Sequence, residues 1–494
     1  MNRNRFLRAL ALVTAFSLVL STAACSAKTD TSSSATSASV SFETTERSET
    51  TIPEYPETTT EASENSFINA EDITVNDTID NSNDSEHAIE TAGEKASYSN
   101  IKVTKTGDSD EGDKADFYGD NSAIYATDGA ELTLSEMIVD TDGAHANAVF
   151  SYGEGTTVNI SDSVITTSGN CSGGLMTTGG GTTNASNLNI HTTGNSSAAI
   201  RSDRGGGTVN VNGGSYVTDG KGSPVIYSTA DITVNDAVME STSSQGVVVE
   251  GRNSVTLNNV SLTADNNSKN SNKSEWFQAV MIYQSMSGDA SVGLAEFTMA
   301  GGSLTNKNGD IFFVNNTSAN ITLTDVEIIN QDENGVFLRA AAAGWGSEGS
   351  NGGRVNLYLN NQILEGDILV DSISILNMYL ASGTVYTGTV NEDNEGEVYV
   401  EIENGSKWIL TGDSYISSLT CEADAVDLNG HTLYVNGTPY TGGTSSGTAI
   451  EFPASSSSDG HHPGEKPGDP PPGDNAGRAP GGEPPEKPDG EPPQ

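Results

Sequence analysis

The sequence predicts an all-β chain built as a single parallel β-helix solenoid with coils of about 25 residues. Three observations carry this. Aliphatic residues return once per coil, at Ile124, Val149, Leu175, Ile200, Val225 and Val247. A second short run follows each at a nearly fixed offset, as in Leu132-Thr133-Leu134, Val158-Asn159-Ile160, Val209-Asn210-Val211 and Val255-Thr256-Leu257. The gaps hold Gly, Asn, Asp and Ser, and no helical periodicity breaks the pattern.

The chain opens with Arg3, Arg5 and Arg8 ahead of the apolar run Ala9–Leu20 and the small residues Ser21–Ala24. This marks residues 1–24 as a secretory signal peptide. Cys25 then stands where a lipoprotein accepts its lipid, and plain secretion is the alternative. Residues 25–65 are Ser, Thr and Glu with too few apolar groups to offset chain entropy, which predicts a disordered tether. The β-helix is expected over 66–440. Near its start Asp72-Ile73-Thr74-Val75-Asn76-Asp77 duplicates Asp231-Ile232-Thr233-Val234-Asn235-Asp236.

Within the body, the first-strand column continues at Val280, Ile311 and Val336 and must face the core. The middle residue of the second run is Thr133, Asn159, Asn184, Asn210, Thr233, Thr256, Thr298, Thr322 and Asn356, a polar ladder fit for the solvent face. A third apolar pair, such as Met137/Val139, Leu188/Ile190 and Val260/Leu262, gives each coil three faces. Insertions holding Trp276-Phe277 and, between Ala340 and Arg354, Trp345 interrupt the period. The coils beyond Ile368 are shorter and irregular and should end in a cap, since an open solenoid end invites edge pairing. Most of the 16 prolines lie in residues 441–494, an acidic Pro/Gly-rich tail expected to be disordered.

Composition narrows the function. Acidic residues number 67 against 22 basic ones, which disfavours nucleic acid and anionic membrane surfaces and favours divalent cations. Any membrane contact is expected only through the lipid on Cys25. Cys171 and Cys421 lie too many coils apart to pair, so two free thiols are expected. His87, His145, His191 and His431 fall in different coils, and none shows metal-ligand spacing with another.

Three constellations invite chemistry. Asp108, Asp110, Asp113 and Asp116 surround Gly112 in one acidic stretch, the kind of oxygen-rich loop that holds calcium; a solvated turn is the plain alternative. Position two of the first strand should point outward, yet carries Tyr125, Phe150, Met176, Phe312 and Phe337 among others. An open apolar stripe would be a platform for sugar rings or a protein, with Trp276 and Trp345 beside it; alternatively, loops or the 66–120 region cover it. Asp203 and Glu250 are two coils apart, roughly 10 Å by strand spacing, near the separation of an inverting glycosidase pair, with Arg252 close by. Surface ion pairing is the competing explanation.

Several pieces together carry a resemblance: Cys25, Thr106-Gly107-Asp108 through Ala115-Asp116-Phe117-Tyr118-Gly119, the Ala-Ile anchors, Trp408-Ile409-Leu410-Thr411-Gly412-Asp413-Ser414 and the Pro/Gly/Glu tail. Over residues 66–440 the chain resembles the right-handed, pectin-lyase-like β-helix surface lipoproteins of Gram-positive anaerobes, of the carbohydrate-binding or adhesin-like type. The resemblance implies a monomer displayed on the cell surface, held by lipid at the outer face of the cytoplasmic membrane, and binding a glycan or a host or cell-wall surface protein. It carries no catalytic residue, because Gly-His-Gly, the Asp-Asp pair and Arg-Ile-Lys of the hydrolases are missing. The expectation is therefore non-catalytic binding, with calcium as the one candidate cofactor. A polysaccharide lyase or glycoside hydrolase at Asp203, Glu250 and Arg252 is the alternative.

Overall fold

A computed structural model describes residues 67–269, 271–273 and 276–453. The expectations for the signal, Cys25, the tether and most of the tail lie outside these residues. The described chain is a parallel β-helix. Eighteen strands form one sheet and eleven a second, and two small sheets of four and three strands finish the solenoid. Pairing is parallel throughout the coils; the antiparallel exceptions are the Tyr434–Thr438 turn and the bridge of Cys421 to Ser445. Among the described residues no helix is long and apolar enough to cross a membrane.

Up to Asn330 two faces of each coil belong to the larger sheet, often as one bent strand, as in Thr157–Thr167, Gly181–Thr192 and Ser254–Ala264. The bend comes from a left-handed residue at the corner. Asp162, Asn187, Asp236, Asn259 and Asp325 hold it with φ between 49 and 53°, and Gly213 and Gly301 take the same corner with φ of 71 and 64°. Asn, Asp and Gly recur because their short or absent side chains tolerate this conformation. The corners are also tied vertically, Asn187 Nδ2 donating to Asp162 Oδ1 at 2.8 Å and Asn259 to Asp236 at 2.7 Å.

The ladder on the solvent face forms as read. Thr133, Asn159, Asn184, Asn210, Thr233, Thr256, Thr298 and Thr322 are in register. Asn210, Asn184 and Asn159 pass hydrogen bonds of 3.0 Å from coil to coil. Asn356 joins one step away, since it pairs with Asn320 while Tyr358 pairs with Thr322.

The dry interior contains the first-strand column, but its register differs from the sequence reading in three coils. Ile124, Val149, Leu175 and Ile200 are followed by Ile226, Val247, Val280, Phe312 and Leu338. Val225, Ile311 and Val336 therefore sit one or two places before the true column. Val225 and Ile311 are buried in the core as well, so burial alone does not distinguish them from Ile226 and Phe312 as the column residue. A single-residue slip exchanges the two faces of a strand. Phe312 thus packs inside, and Phe337, one place before the column residue Leu338, also lies in the core, edge to face with Phe312 at 5.5 Å, so neither is part of an outer stripe. Tyr227, Phe313 and Arg339 point outward in place of Ile226, Phe312 and Phe337.

A ladder of glycines fixes the turn before this sheet. A Cβ on Gly143, Gly169, Gly194 or Gly220 would lie 1.7 to 2.0 Å from the carbonyl oxygen of the glycine one coil earlier, so no larger residue fits. Each of Gly143, Gly169, Gly194 and Gly220 stands six places before its inward anchor, Val149, Leu175, Ile200 or Ile226. This spacing gives the correct register where the aliphatic pattern does not. Cys171 and Cys421 are free and buried. Past Pro439 the chain turns back along the solenoid: Gly447 donates to Thr420, and Ile450 exchanges bonds with Asn377. Contacts with the body thus continue beyond residue 440.

Candidate functional site

The outer face of the second sheet gathers most of the residues with chemistry. In coil order its outward positions are Tyr125, Phe150, Met176, Arg201, Tyr227, Val248, Met281, Phe313 and Arg339. This stripe is largely covered. At one end helix α1 (Asp113–Tyr118) is stopped by Gly119, with φ of 84°, which lies against Tyr125 and Phe150, while His87 stacks on Tyr125 at 4.4 Å. At the other end Trp345 packs edge-on against Tyr283 at 5.2 Å, with Trp276 5.6 Å from Phe313. Phe150, Val248, Met281 and Phe313 are all buried.

Beneath α1 sits an ionic knot. Arg201 donates to Asp203 at 2.9 Å and to Asp116 Oδ2 at 3.2 Å, while His145 Nδ1 meets Asp116 Oδ1 at 3.0 Å. Arg204 leans over the ring of Phe117 at 4.1 Å and pairs with Asp289 at 2.7 Å. Burial pushes the Asp203 carboxyl up to about 7, against the opposing pull of Arg201. Burial and the nearby Asp116 charge likewise push the Cys171 thiol up to about 11. Asp116, His145 and Cys171 present ligand atoms all within 4.8 Å of one another.

Two coils further, Glu250 is buried with hydroxyl and amide donors around it. Its carboxylate accepts from Tyr227 Oη at 2.5 Å, Tyr283 Oη at 3.1 Å, the Ser285 amide at 3.2 Å and the Ser285 hydroxyl. Burial, then the Glu250 charge, raise both tyrosines well above their ordinary value, so they remain proton donors to it.

Between these clusters and the two long loops lies a small, half-open groove with a cavity volume of about 80 Å³. Trp276, Phe277, Trp345 and Met281 supply its apolar walls, and Gln245, Asn266, Ser268 and Gln278 its polar ones. A second cavity under α1 shares Gly222, Pro224 and Tyr227 with it, so the two adjoin.

The sequence candidates are thus partly reunited. Asp203 and Glu250 share this face, separated by the Tyr227 coil, while Arg252 is exposed on the following turn, where its backbone N–H donates to the Ser291 carbonyl. Arg201, not Arg252, is the arginine at Asp203. The four aspartates of the acidic stretch do not meet around one point: Asp108 accepts from the Ala144 amide, Asp110 and Asp113 are exposed, and Asp116 turns inward to Arg201. Tyr125 and Phe150 lie at the α1 end, away from Trp276 and Trp345. The tyrosine pair at Glu250 was missed. The glycine ladder was the signal that could have found Tyr227, because it sets that coil's register.

Comparison with protein-family models, with curated proteins and with solved structures gives no match for this chain.

Proposed function

We propose that the protein is an exported, surface-displayed β-helix that binds a carbohydrate in the groove between Trp276, Phe277 and Trp345, without covalent chemistry. One observation carries the reading: the groove joins aromatic faces to amides and hydroxyls, with Lys269 the one charged residue on its lining, while both carboxylates nearby are already engaged. Aromatic rings stack on the apolar faces of sugars, and amides and hydroxyls match their alternating donors and acceptors. Glu250 is saturated by three hydroxyl groups and an amide, and Asp203 by Arg201 and the Arg204 amide. On the groove wall, Trp345 Nε1 and Gln278 Oε1 are buried with no hydrogen-bond partner among the described residues, a donor and an acceptor left over.

The test is calorimetric titration with a panel of neutral and acidic oligosaccharides. Binding to at least one, weakened about fivefold in Trp276→Ala, is expected, since a lost aromatic stack is worth on the order of 1 kcal/mol. Silence across the panel would sink the proposal. The second reading, a lyase or hydrolase, is favoured by a single feature: a carboxyl raised to about 7 could serve as a general acid. Release of reducing or unsaturated ends, lost in Asp203→Asn, would establish it instead.

A further inference from the structure

We propose that Asp116, His145 and Cys171 form a binding site for a thiophilic divalent transition-metal ion of the zinc class. The three side chains come from separate stretches brought together by the solenoid. His145 and Cys171 occupy the same position in consecutive coils, each with φ of 56°, each donating its amide to the next coil, at Asn170 and Asn195. The fold therefore places an imidazole and a thiol side by side, about one strand spacing apart. Helix α1 then lowers Asp116 onto them.

The geometry suits the ion. Ligand bonds of about 2.0–2.3 Å in a tetrahedron put donor atoms roughly 3.3–3.7 Å apart. Asp116 Oδ1 and His145 Nδ1 are 3.0 Å apart, and all three donors fall within 4.8 Å, so small rotations close the set. Thiolate with imidazole selects zinc-class ions over calcium, which takes oxygen ligands. Charge also balances. The ion with a thiolate, a carboxylate and a neutral imidazole is neutral, leaving Arg201 to pair with Asp203. Arg201 holds Asp116 Oδ2, which orients Oδ1 toward the site, as outer hydrogen bonds do for metal-bound carboxylates. Asp116 and Cys171 line the cavity beneath α1, which supplies an entry path and room for a water as fourth ligand.

Cobalt(II) is the probe, added to the full-length protein under reducing, oxygen-free conditions. One equivalent should produce a near-ultraviolet sulfur-to-cobalt band and the visible bands of a tetrahedral ion, both removed by zinc. Cys171→Ser should abolish the sulfur band. His145→Gln should weaken binding at least as much as the roughly 10- to 100-fold that losing an outer partner costs. The double variant Asp108→Asn/Asp110→Asn should change nothing. Circular dichroism of each variant checks the β-helix, and His145→Gln, which keeps a polar side chain at a partly buried turn, serves if Cys171→Ser misfolds. Absence of a sulfur band in the wild type, its persistence in Cys171→Ser, or loss of binding only in the Asp108/Asp110 variant would each overturn the assignment.

Discussion

Gly194→Ala is the sharpest test of the stacking. Gly194 keeps an ordinary backbone conformation, so alanine is excluded by space alone. Its Cβ would stand 1.8 Å from the Gly169 oxygen, where non-bonded carbon and oxygen prefer about 3.3–3.6 Å. The two coils must part by more than an ångström at this turn. The hydrogen bonds that cross that gap include these three: Thr193 N to Thr167 O at 2.9 Å, Asn195 N to Asn170 Oδ1 at 3.0 Å, and Ser197 Oγ to Gly169 O at 3.0 Å. Stretching all three at about 1 kcal/mol each, with added overpacking, gives a loss of roughly 3–5 kcal/mol. The control is Gly129→Ala. Gly129 has φ of 77° but open space around its Cβ position, so only left-handed strain of about 1–2 kcal/mol applies. Urea denaturation followed by far-ultraviolet circular dichroism compares them. If Gly194→Ala is no worse than Gly129→Ala, coil-to-coil contact at the glycine ladder is not what selects glycine.

Two further outcomes follow from the electrostatics. Arg201→Leu leaves Asp116 and Asp203 buried without their cation and should destabilise by about 3–5 kcal/mol in thermal or urea unfolding, with Asp203→Asn in the same chain recovering part; wild-type stability in Arg201→Leu would refute the ionic knot. Asp332 accepts from the Gly309 and Asn334 amides at 2.7 and 2.9 Å, which holds its carboxyl below the usual value. A depressed folded value means its stabilisation is present above the ordinary aspartate range and fades as pH falls through the folded value. The stability gap between wild type and Asp332→Asn should therefore shrink below about pH 4, and a gap that widens there would contradict the assigned bonds.

Much of the molecule was legible along the chain because a solenoid converts sequence period into spatial column. Asn159, Asn184 and Asn210 could be placed on the solvent face before any coordinates, since strand side chains alternate and only polar groups suit water. The slips at Val225, Ile311 and Val336 show the limit of that logic. Aliphatic residues on both sides of a turn are equally willing anchors, and only the crowded glycine carbonyls decide between them. The site suffered most from this, because one residue of register exchanges Ile226 for Tyr227 and Phe312 for Phe313.

What the sequence determined by itself is the stacking period, the inward aliphatic columns of the regular coils and the outward amide ladder. All of these depend on local alternation repeated at a fixed interval. Tertiary structure alone decided the function-bearing groups: α1 folding over the stripe, Arg201 reaching Asp116, two tyrosines converging on Glu250, and His145 meeting Cys171 and Asp116. The physical reason is distance along the chain. These partners lie 23 to 85 residues apart, and their meeting depends on turn lengths and loop docking that no residue pattern encodes on its own.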